Sequence, residues 1–266
     1  MSLEVVESGM LSTVQDGGRP GWAHVGVPHS GVVDPSLAAV VNRLVGNPGD
    51  AALIETVGGL LVRATGPLTI ASDTEPVART VRAGDTIRVP LGGRQWHYLS
   101  IRGGVVAEPV LGSRSTDTLS GLGPAPLAAG DRLSAGAEPA EAPHGETVPV
   151  HHVVRPARIL PGPRLDWFEP DVLEAMELGR WRVTTSSRVG VRLSGHALAR
   201  VDGRELPSEG LVRGAIQVPP DGDPIMMLAD HPTTGGYPVV AVVHPDDVSI
   251  VAQTTVGGDV TFRLVR

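Results

Sequence analysis

The chain has 266 residues with 22 basic and 29 acidic side chains, which gives a formal charge of −7. All the basic residues are Arg, and both Lys and Cys are absent. Without Lys, the chain can form no Schiff base, no Walker-type phosphate loop and no covalent link to biotin. Without Cys, it has no disulfide, no thiolate nucleophile and no sulfur-ligated metal.

The remaining composition is that of a soluble protein. The negative net charge gives no reason to expect nucleic-acid binding. The N-terminal residues lack a signal-peptide pattern, and no apolar run approaches the ~18 residues of a membrane helix. We therefore expect a cytoplasmic protein. Gly (34 residues) and Pro (24 residues) separate short apolar runs, which is typical of a mainly β fold with many turns.

Strands and two short helices are predicted in chain order. The first helix is predicted to follow Asp34, which is a suitable N-cap, with Pro35 at the first helical position. This helix is predicted to end just before Gly46. A second helix is predicted over about residues 170–178. The predicted strands are residues 3–6, 60–62, 68–71, 86–89, 97–102, 181–184, 225–228, 239–243, 249–252 and 260–264.

A change of composition near the middle of the chain indicates two domains. Residues 135–146 are rich in Ala, Pro and Gly, lack periodicity and look like a surface linker. We therefore predict two barrel-like halves, residues 1–140 and residues 150–266.

Standard catalytic and metal-binding strings are absent. The sequence contains no His-Glu-x-x-His, Gly-x-Ser-x-Gly or Gly-x-Gly-x-x-Gly pattern. The nine His residues are scattered, and His151 and His152 form the only adjacent pair. Adjacent residues on a strand point to opposite faces, so this pair is a poor metal clamp. We expect no metal site built by this chain alone.

Two Gly-rich segments in the first half carry candidate binding residues. Residues 15–34 contain Asp16, Arg19, His29 and Asp34 near a predicted helix N-terminus, which favours anions. The alternative is a turn-rich loop with one capping Asp. Farther on, Arg114 is flanked by hydroxyl residues and suits a carboxylate or phosphate. The alternative there is a bulge followed by a hydroxyl-rich turn.

The second half carries two more such segments. In the first, alternation along a strand places Arg188 and Arg192 on one face, which predicts either an anion clamp or a salt-bridged edge strand. The second contains Gln217 and the loop Thr233-Thr234-Gly235-Gly236-Tyr237. Its backbone N–H groups and hydroxyls are donors that suit a carbonyl or phosphate oxygen. The alternative is a hairpin turn whose Tyr covers the core.

Taken together, these segments resemble the allophanate hydrolase subunit 2 family, whose members are also called KipA-like proteins, biotin-dependent carboxyltransferase-type proteins or C-type subunits of 5-oxoprolinase. The resemblance extends from about Leu3 to Phe262. The matching pieces are residues 14–19, 26–34, 42–47, Glu55, 112–116, 186–193, 217–219 and 233–238. It implies a mainly β fold of two cyclophilin-like β-barrel halves with a few short helices.

The resemblance also implies partners and a reaction. Members of the family usually act with a KipI-like allophanate hydrolase subunit 1, and in bacteria with a LamB/YcsF-type subunit, in the ATP-dependent cleavage of 5-oxoproline. Related domains of urea carboxylase transfer a carboxyl group from biotin to urea.

Some positions depart from the family pattern. Pro232 stands where many members have Gln, and Ser187 replaces a common Asn. Residues 121–127 lack an Arg found in many relatives. If that Arg binds an anion, either Arg102 or Arg114 must substitute or this rim is not catalytic here.

Our leading hypothesis is a subunit of an ATP-dependent 5-oxoprolinase that uses ATP with Mg²⁺, shared with a partner subunit. The predicted catalytic residues are Arg188, Arg192, Tyr237, Asp16 and His29. The predicted substrate-binding residues are Thr233, Thr234, Gly235, Gly236, Arg19, Asp34, Arg114 and Gln217. Two alternatives are a carboxyltransferase that uses biotin carried by another chain, and a non-enzymatic regulatory module that binds a KipI-like partner.

Overall fold

The structure, a computed structural model, describes residues 1–145, 154–201 and 204–265. Strands predominate and the helices are short, which confirms the predicted mainly β fold. The chain forms two compact units. Unit 1 consists of Met1–Arg19 and Ser30–His151, and unit 2 of Pro20–His29 and His152–Arg266. Residues Pro20–His29 therefore belong to unit 2 although they precede most of unit 1 in the chain.

Unit 1 contains two antiparallel sheets. One has the strand order β7-β4-β1-β9 and the other β2-β3-β8-β5-β6. The strands are β1 Ser2–Ser8, β2 Ser12–Gln15, β3 Leu53–Thr56, β4 Leu60–Ala64, β5 Leu68–Ser72, β6 Arg79–Val81, β7 Thr86–Arg88, β8 His97–Ile101 and β9 Arg132–Ser134.

The apolar side chains of both sheets of unit 1 meet in one core. Leu3 and Val5 of β1 alternate with more exposed neighbours, and they join Val62 of the same sheet. Ile54 and Leu99 contribute from the other sheet. Two sheets that share one apolar cluster are packed face to face, and this packing explains why short strands with little aromatic content are stable together.

Helix α1, Pro35–Leu44, forms where the sequence predicts it. The Asp34 side chain accepts a hydrogen bond from the backbone N–H of Leu37 at 3.1 Å, which satisfies one of the free donors of the first turn. Its buried face, which includes Leu37 and Val41, packs against β8 and β5.

Unit 2 is built on an eight-stranded sheet with the order β18-β11-β12-β15-β14-β17-β10-β19. The strands of this unit are β10 Ala157–Pro161, β11 Trp181–Ser186, β12 Gly190–Ser194, β13 Glu209–Gly210, β14 Ala215–Gln217, β15 Ile225–Met227, β16 Thr234–Gly235, β17 Val239–Val243, β18 Asp259–Val260 and β19 Phe262–Leu264, and its helices are α2 Val172–Leu178 and α3 Val248–Ala252. The two edge strands, β18 and β19, are separated only by Thr261. The sheet therefore curls until its edges meet, as in the predicted barrel.

One predicted strand is wrong. Residues 249–252 belong to helix α3, which follows the short 3₁₀ turn Pro245–Asp247. Val248, Val251 and Ala252 are buried, and the spacing i, i+3, i+4 places them on one helical face. The β-branched composition suggested a strand, but packing in unit 2 outweighs that weak preference.

The described part of the predicted linker is held to unit 1. The guanidinium of Arg102 donates hydrogen bonds to the backbone oxygens of Val45, Pro139 and Glu141 at 2.8–2.9 Å. Arg102 is thus occupied by backbone carbonyls rather than positioned for an anionic substrate.

Candidate functional site

Asp16 is the centre of a buried hydrogen-bond cluster in unit 1. Its Oδ1 accepts hydrogen bonds from the hydroxyls of Ser113 and Ser115, both at 2.6 Å, and from the N–H of Gly18 at 2.9 Å. Its Oδ2 accepts from the backbone N–H of Arg114 at 2.6 Å. These bonds join the loop after β2 to residues 113–115, which lie about a hundred positions later in the chain.

The hydrogen bonds keep the Asp16 carboxyl ionised. Burial by itself would raise the pKa of Asp16, but the bonds from Ser113, Ser115 and the two backbone N–H groups outweigh burial and lower it. A carboxylate with this many donors fixes the two loops in place. The guanidinium of Arg114 is not part of the cluster: its Nε donates to the backbone oxygen of Ala107 at 3.0 Å.

Arg19 lies beside the same loops and is almost fully buried. Its guanidinium donates to the backbone oxygens of Ser115 and, at 3.4 Å, of Val110. Asp16 and Arg19, both predicted from one Gly-rich segment, therefore converge on Ser115. The predicted role of each in catalysis or substrate binding stays a prediction, while their observed contacts hold loops together.

Asp34 belongs to a different buried network in unit 1. Its backbone N–H donates to the hydroxyl of Tyr98 at 2.8 Å, and that hydroxyl donates to the carboxylate of Glu55 at 2.9 Å. The N–H of Val33 also donates to Glu55, at 2.7 Å. Burial raises the pKa of Tyr98 well above its usual value, and the negative charges of Glu55 and Asp34 add to the effect. The sequence assigned no role to Tyr98, because no local pattern links it to Asp34.

In unit 2, Arg188 and Asp230 form a fully buried ion pair. Both side chains have 0% exposure, and Nε and Nη2 of Arg188 each lie 2.8 Å from a carboxylate oxygen of Asp230. This bidentate geometry is the strongest that Arg and a carboxylate form. Asp230 lies three residues after the end of β15 and three residues before Thr233. The ion pair therefore anchors the start of the loop that contains residues 233–237.

Arg192 lies in a different environment from Arg188. It is on β12, its side chain is 33% exposed, and it pairs with Asp221 and with Asp223. Strand β12 begins only at Gly190, so strand alternation does not extend to Arg188. The predicted clamp of two arginines on one strand face is therefore wrong. The alternative of a salt-bridged edge strand is right about the ion pairs but wrong about the edge, since β12 lies between β11 and β15.

The loop of residues 233–237 is held tightly on one side and exposed on the other. The side-chain amide of Gln217 donates to the backbone oxygen of Tyr237 at 2.9 Å. A Cβ on Gly235 would lie 2.6 Å from Nε2 of Gln217, so a larger residue there would have to displace that amide. The side chains of Thr234 and Tyr237 are exposed, and Tyr237 reaches 44% exposure. The loop can thus present a phenol and a hydroxyl to a ligand from a rigid base.

His231 is a titratable group of this loop that the sequence did not indicate. Its Nδ1 donates to the backbone oxygen of Pro232 at 2.7 Å, which fixes the ring. Burial lowers the pKa of His231, and the positive charges of Arg213 and His29 contribute. The ring is therefore neutral at pH 7 and keeps the lone pair of Nε2. His29, a predicted catalytic residue, is exposed and belongs to unit 2.

Comparisons with known proteins identify the family. The sequence model of the carboxyltransferase domain, subdomains A and B, matches residues 25–264. The chain belongs to this family. It is 35% identical to the C-type subunit of 5-oxoprolinase from Escherichia coli (strain K12) over 280 residues, an alignment that covers 98% of this chain and 90% of that protein. The resemblance found in the sequence is therefore confirmed.

Two solved structures show the same fold. The crystal structure of TTHA0988 aligns with a TM-score of 0.87 and 34% identity, covering 98% of this chain and 55% of that one. The chain thus spans little more than half of TTHA0988. The structure of the K. lactis urea amidolyase aligns with a TM-score of 0.90 and 26% identity, covering 100% of this chain and 19% of that one.

Within this carboxyltransferase-family chain, the predicted site residues fall into sets. Unit 1 brings together Asp16, Arg19 and the backbone of Arg114, with Asp34 in a separate network. Unit 2 contains Arg188, Gln217 and residues 233–237, together with His29 and, in its own ion pairs, Arg192.

In the described residues, no group of three or more His, Asp or Glu side chains is arranged to hold a metal ion. His151 and His152 lie outside the described residues. No described helix has the length and apolar character needed to cross a membrane.

Proposed function

We propose that this chain is the C-type subunit of an ATP-dependent 5-oxoprolinase, a hydrolase that opens a cyclic amide. The observation that carries the proposal is the 35% identity to the corresponding Escherichia coli 5-oxoprolinase protein across nearly the full length of both chains. Similarity of this extent covers both units and the whole candidate site, rather than one shared domain.

The chemistry of the substrate explains why several groups are needed. An unactivated lactam resists attack by water, and ATP supplies the activation that such an amide lacks. The two arginines predicted as catalytic already bind carboxylates of this chain. Arg188 is fully buried in its pair with Asp230. The chain also lacks Lys and therefore a Walker-type phosphate loop. We propose that ATP and Mg²⁺ are held mainly by a partner protein.

In this proposal the residues of unit 2 orient the substrate. Gln217 fixes the backbone at Tyr237, and Gly235 packs directly on the Gln217 amide. The exposed Thr234 hydroxyl and Tyr237 phenol are then held as donors toward the lactam. Preorganised donors stabilise charge that develops on an amide oxygen. The Arg188–Asp230 pair holds the start of this loop in place.

The proposed partners are a KipI-like subunit 1 and a LamB/YcsF-type subunit. The Escherichia coli relative is named as one subunit of its 5-oxoprolinase, which supports an assembly with other chains. Each partner contributes groups that this chain lacks, above all those that bind the nucleotide. Expression of this chain by itself should therefore give no turnover.

The test is phosphate release from ATP that depends on 5-oxoproline, measured with the three co-purified subunits. The wild-type complex should turn over, and Thr234→Ala together with Tyr237→Phe should reduce kcat/KM by about tenfold or more, since each removes a proposed donor. Thr185→Ala, an exposed hydroxyl on β11 of the same unit, is the matched control. An assembled complex with no turnover would refute the proposed reaction, and an unaltered Thr234→Ala, Tyr237→Phe complex would refute the site.

A second candidate is carboxyl transfer from biotin to urea or a related amide. The name of the matching domain family and the TM-score of 0.90 to the K. lactis urea amidolyase favour it. Because the chain has no Lys, the biotin must be carried by another chain. Transfer of labelled carboxyl from a carboxylated biotin carrier to urea would support this candidate against the first, and its absence with an active carrier would exclude it.

A further inference from the structure

Three arginines of unit 2 surround one open cavity that is separate from every residue predicted for the site. The cavity has a volume of about 380 Å³ and is lined by Arg155, Pro156, Arg158 and Arg263. The chain as a whole carries a charge of −7, so this positive cluster does not reflect the overall composition. Its members come from both ends of unit 2, before β10, within β10 and within β19.

A buried carboxylate fixes two of these arginines. Asp247 has a side-chain exposure of 0%. Its oxygens accept from both Nη atoms of Arg155, at 2.9 and 2.5 Å, and from Nε, Nη2 and the backbone N–H of Arg158, each at 2.8 Å. The acceptor sites of Asp247 are therefore filled. The two guanidinium groups are held in one orientation, which is what a preorganised anion site requires.

The carboxylate neutralises only one of the three positive charges. Arg263 is exposed and lies directly opposite Arg158 in the parallel pairing of β10 and β19. Like charges at opposed positions of neighbouring strands repel each other. Asp246 lies 3.6 Å from Arg158, but it is 76% exposed and solvent screens its charge. A net positive charge therefore remains at the cavity.

Donors also remain. Each guanidinium has five N–H groups, and Arg158 uses only those on Nε and Nη2 for Asp247. The side chain of Arg263 makes no hydrogen bond or ion pair with any part of the chain that the structure describes. The cavity thus combines fixed guanidinium groups, unused N–H donors and unbalanced charge.

We propose that this cavity binds a small phosphate-bearing anion. Arg recognises phosphate and carboxylate oxygens through paired N–H groups. A tetrahedral phosphate directs oxygens toward three guanidinium groups at once, whereas a planar carboxylate has only two oxygens to offer. The negative charge of a phosphate also suits the net positive charge that remains at the cavity. The proposal is independent of the proposed 5-oxoprolinase function and can be tested on this chain alone.

The test is isothermal titration calorimetry, in which the purified chain is titrated with inorganic pyrophosphate in 50 mM NaCl. The wild type should bind one equivalent saturably. Arg263→Gln should weaken binding by about tenfold, because it removes the donors that contact no other group. Arg180→Gln is the matched control: it removes the same charge from an exposed position of unit 2 outside the cavity. It should change the affinity less than twofold.

Each outcome decides the proposal. Weaker binding by Arg263→Gln alone, with an unchanged melting temperature, supports the site, as does weaker wild-type binding in 500 mM NaCl. The absence of saturable binding to the wild type overturns it. Equal affinities of wild type and Arg263→Gln, or equal losses in both variants, also overturn it, because binding would then lie elsewhere or depend on overall charge.

Discussion

Replacement of Arg188 by Gln should destabilise this protein far more than the same change at Arg192. Arg188 has 0% exposure and donates twice, at 2.8 Å, to Asp230, which is equally buried. Gln would remove the charged partner that donates these two hydrogen bonds to the Asp230 carboxylate, in a site with no exposed side-chain surface. Removal of one partner from a buried ion pair costs about 3–5 kcal/mol.

Arg192 provides the internal control for this prediction. Its side chain is 33% exposed, as is that of Asp223, and Asp221 is 55% exposed. Solvent can replace the lost contacts, so Arg192→Gln should cost about 1 kcal/mol or less. The two variants remove the same charged group from positions four residues apart, and they differ mainly in burial.

Urea denaturation of the isolated chain measures both free energies of unfolding. A double variant, Arg188→Met with Asp230→Leu, should recover part of the loss, because it removes both buried charges of the pair. Equal losses in Arg188→Gln and Arg192→Gln, or a loss below about 1 kcal/mol for the former, would refute the view that the buried pair anchors the loop. Activity assays on Arg188 variants need this measurement beside them to separate catalysis from folding.

Further predictions concern the loop and two titratable groups. Gly235→Ala places a Cβ 2.6 Å from the Gln217 amide and should reduce oxoproline-dependent phosphate release, whereas Gly236→Ala, whose nearest atom is 3.6 Å away, should be tolerated. Asp247→Asn should lower the free energy of unfolding at pH 7 by about 3 kcal/mol. Because the hydrogen bonds from its arginines hold the pKa of Asp247 far below 3.8 in the folded state, this difference should shrink only as the pH falls below about 4 in acid titrations of both proteins. Burial lowers the pKa of His231, so the wild type should lose stability between pH 7 and 5 as the unfolded chain takes up the proton first, and His231→Gln should lose less over the same range. A stability difference that stays constant with pH would contradict either assignment.

Some elements could be predicted because their signals are local. Helix α1 is specified by Asp34, Pro35 and apolar spacing within ten residues, and the structure has it at Pro35–Leu44. The strand predicted at residues 249–252 rested only on β-branched composition. It was wrong because packing decides between helix and strand there. Strands β2 and β3 were missed, since each is four residues long and carries polar side chains that other segments bury. Nothing in the sequence indicates that Pro20–His29 belongs to unit 2.

The candidate site shows the same division. Its motifs were found in the sequence because each is a short string of Gly, hydroxyl and charged residues. Their partners were not, because Asp16 meets Ser115 across 99 positions and Arg188 meets Asp230 across 42. The sequence therefore does not indicate whether an arginine in such a motif faces solvent or a buried carboxylate.

By itself, the sequence determined the mainly β class, the family and the chemistry that a chain without Lys and Cys cannot perform. These follow from residue type and short-range order. Only the tertiary structure decided that Arg188 is buried while Arg192 is not, and that Arg155, Arg158 and Arg263 share one cavity. Strand register and the closure of the eight-stranded sheet bring those groups together, and both depend on contacts between segments far apart in the chain.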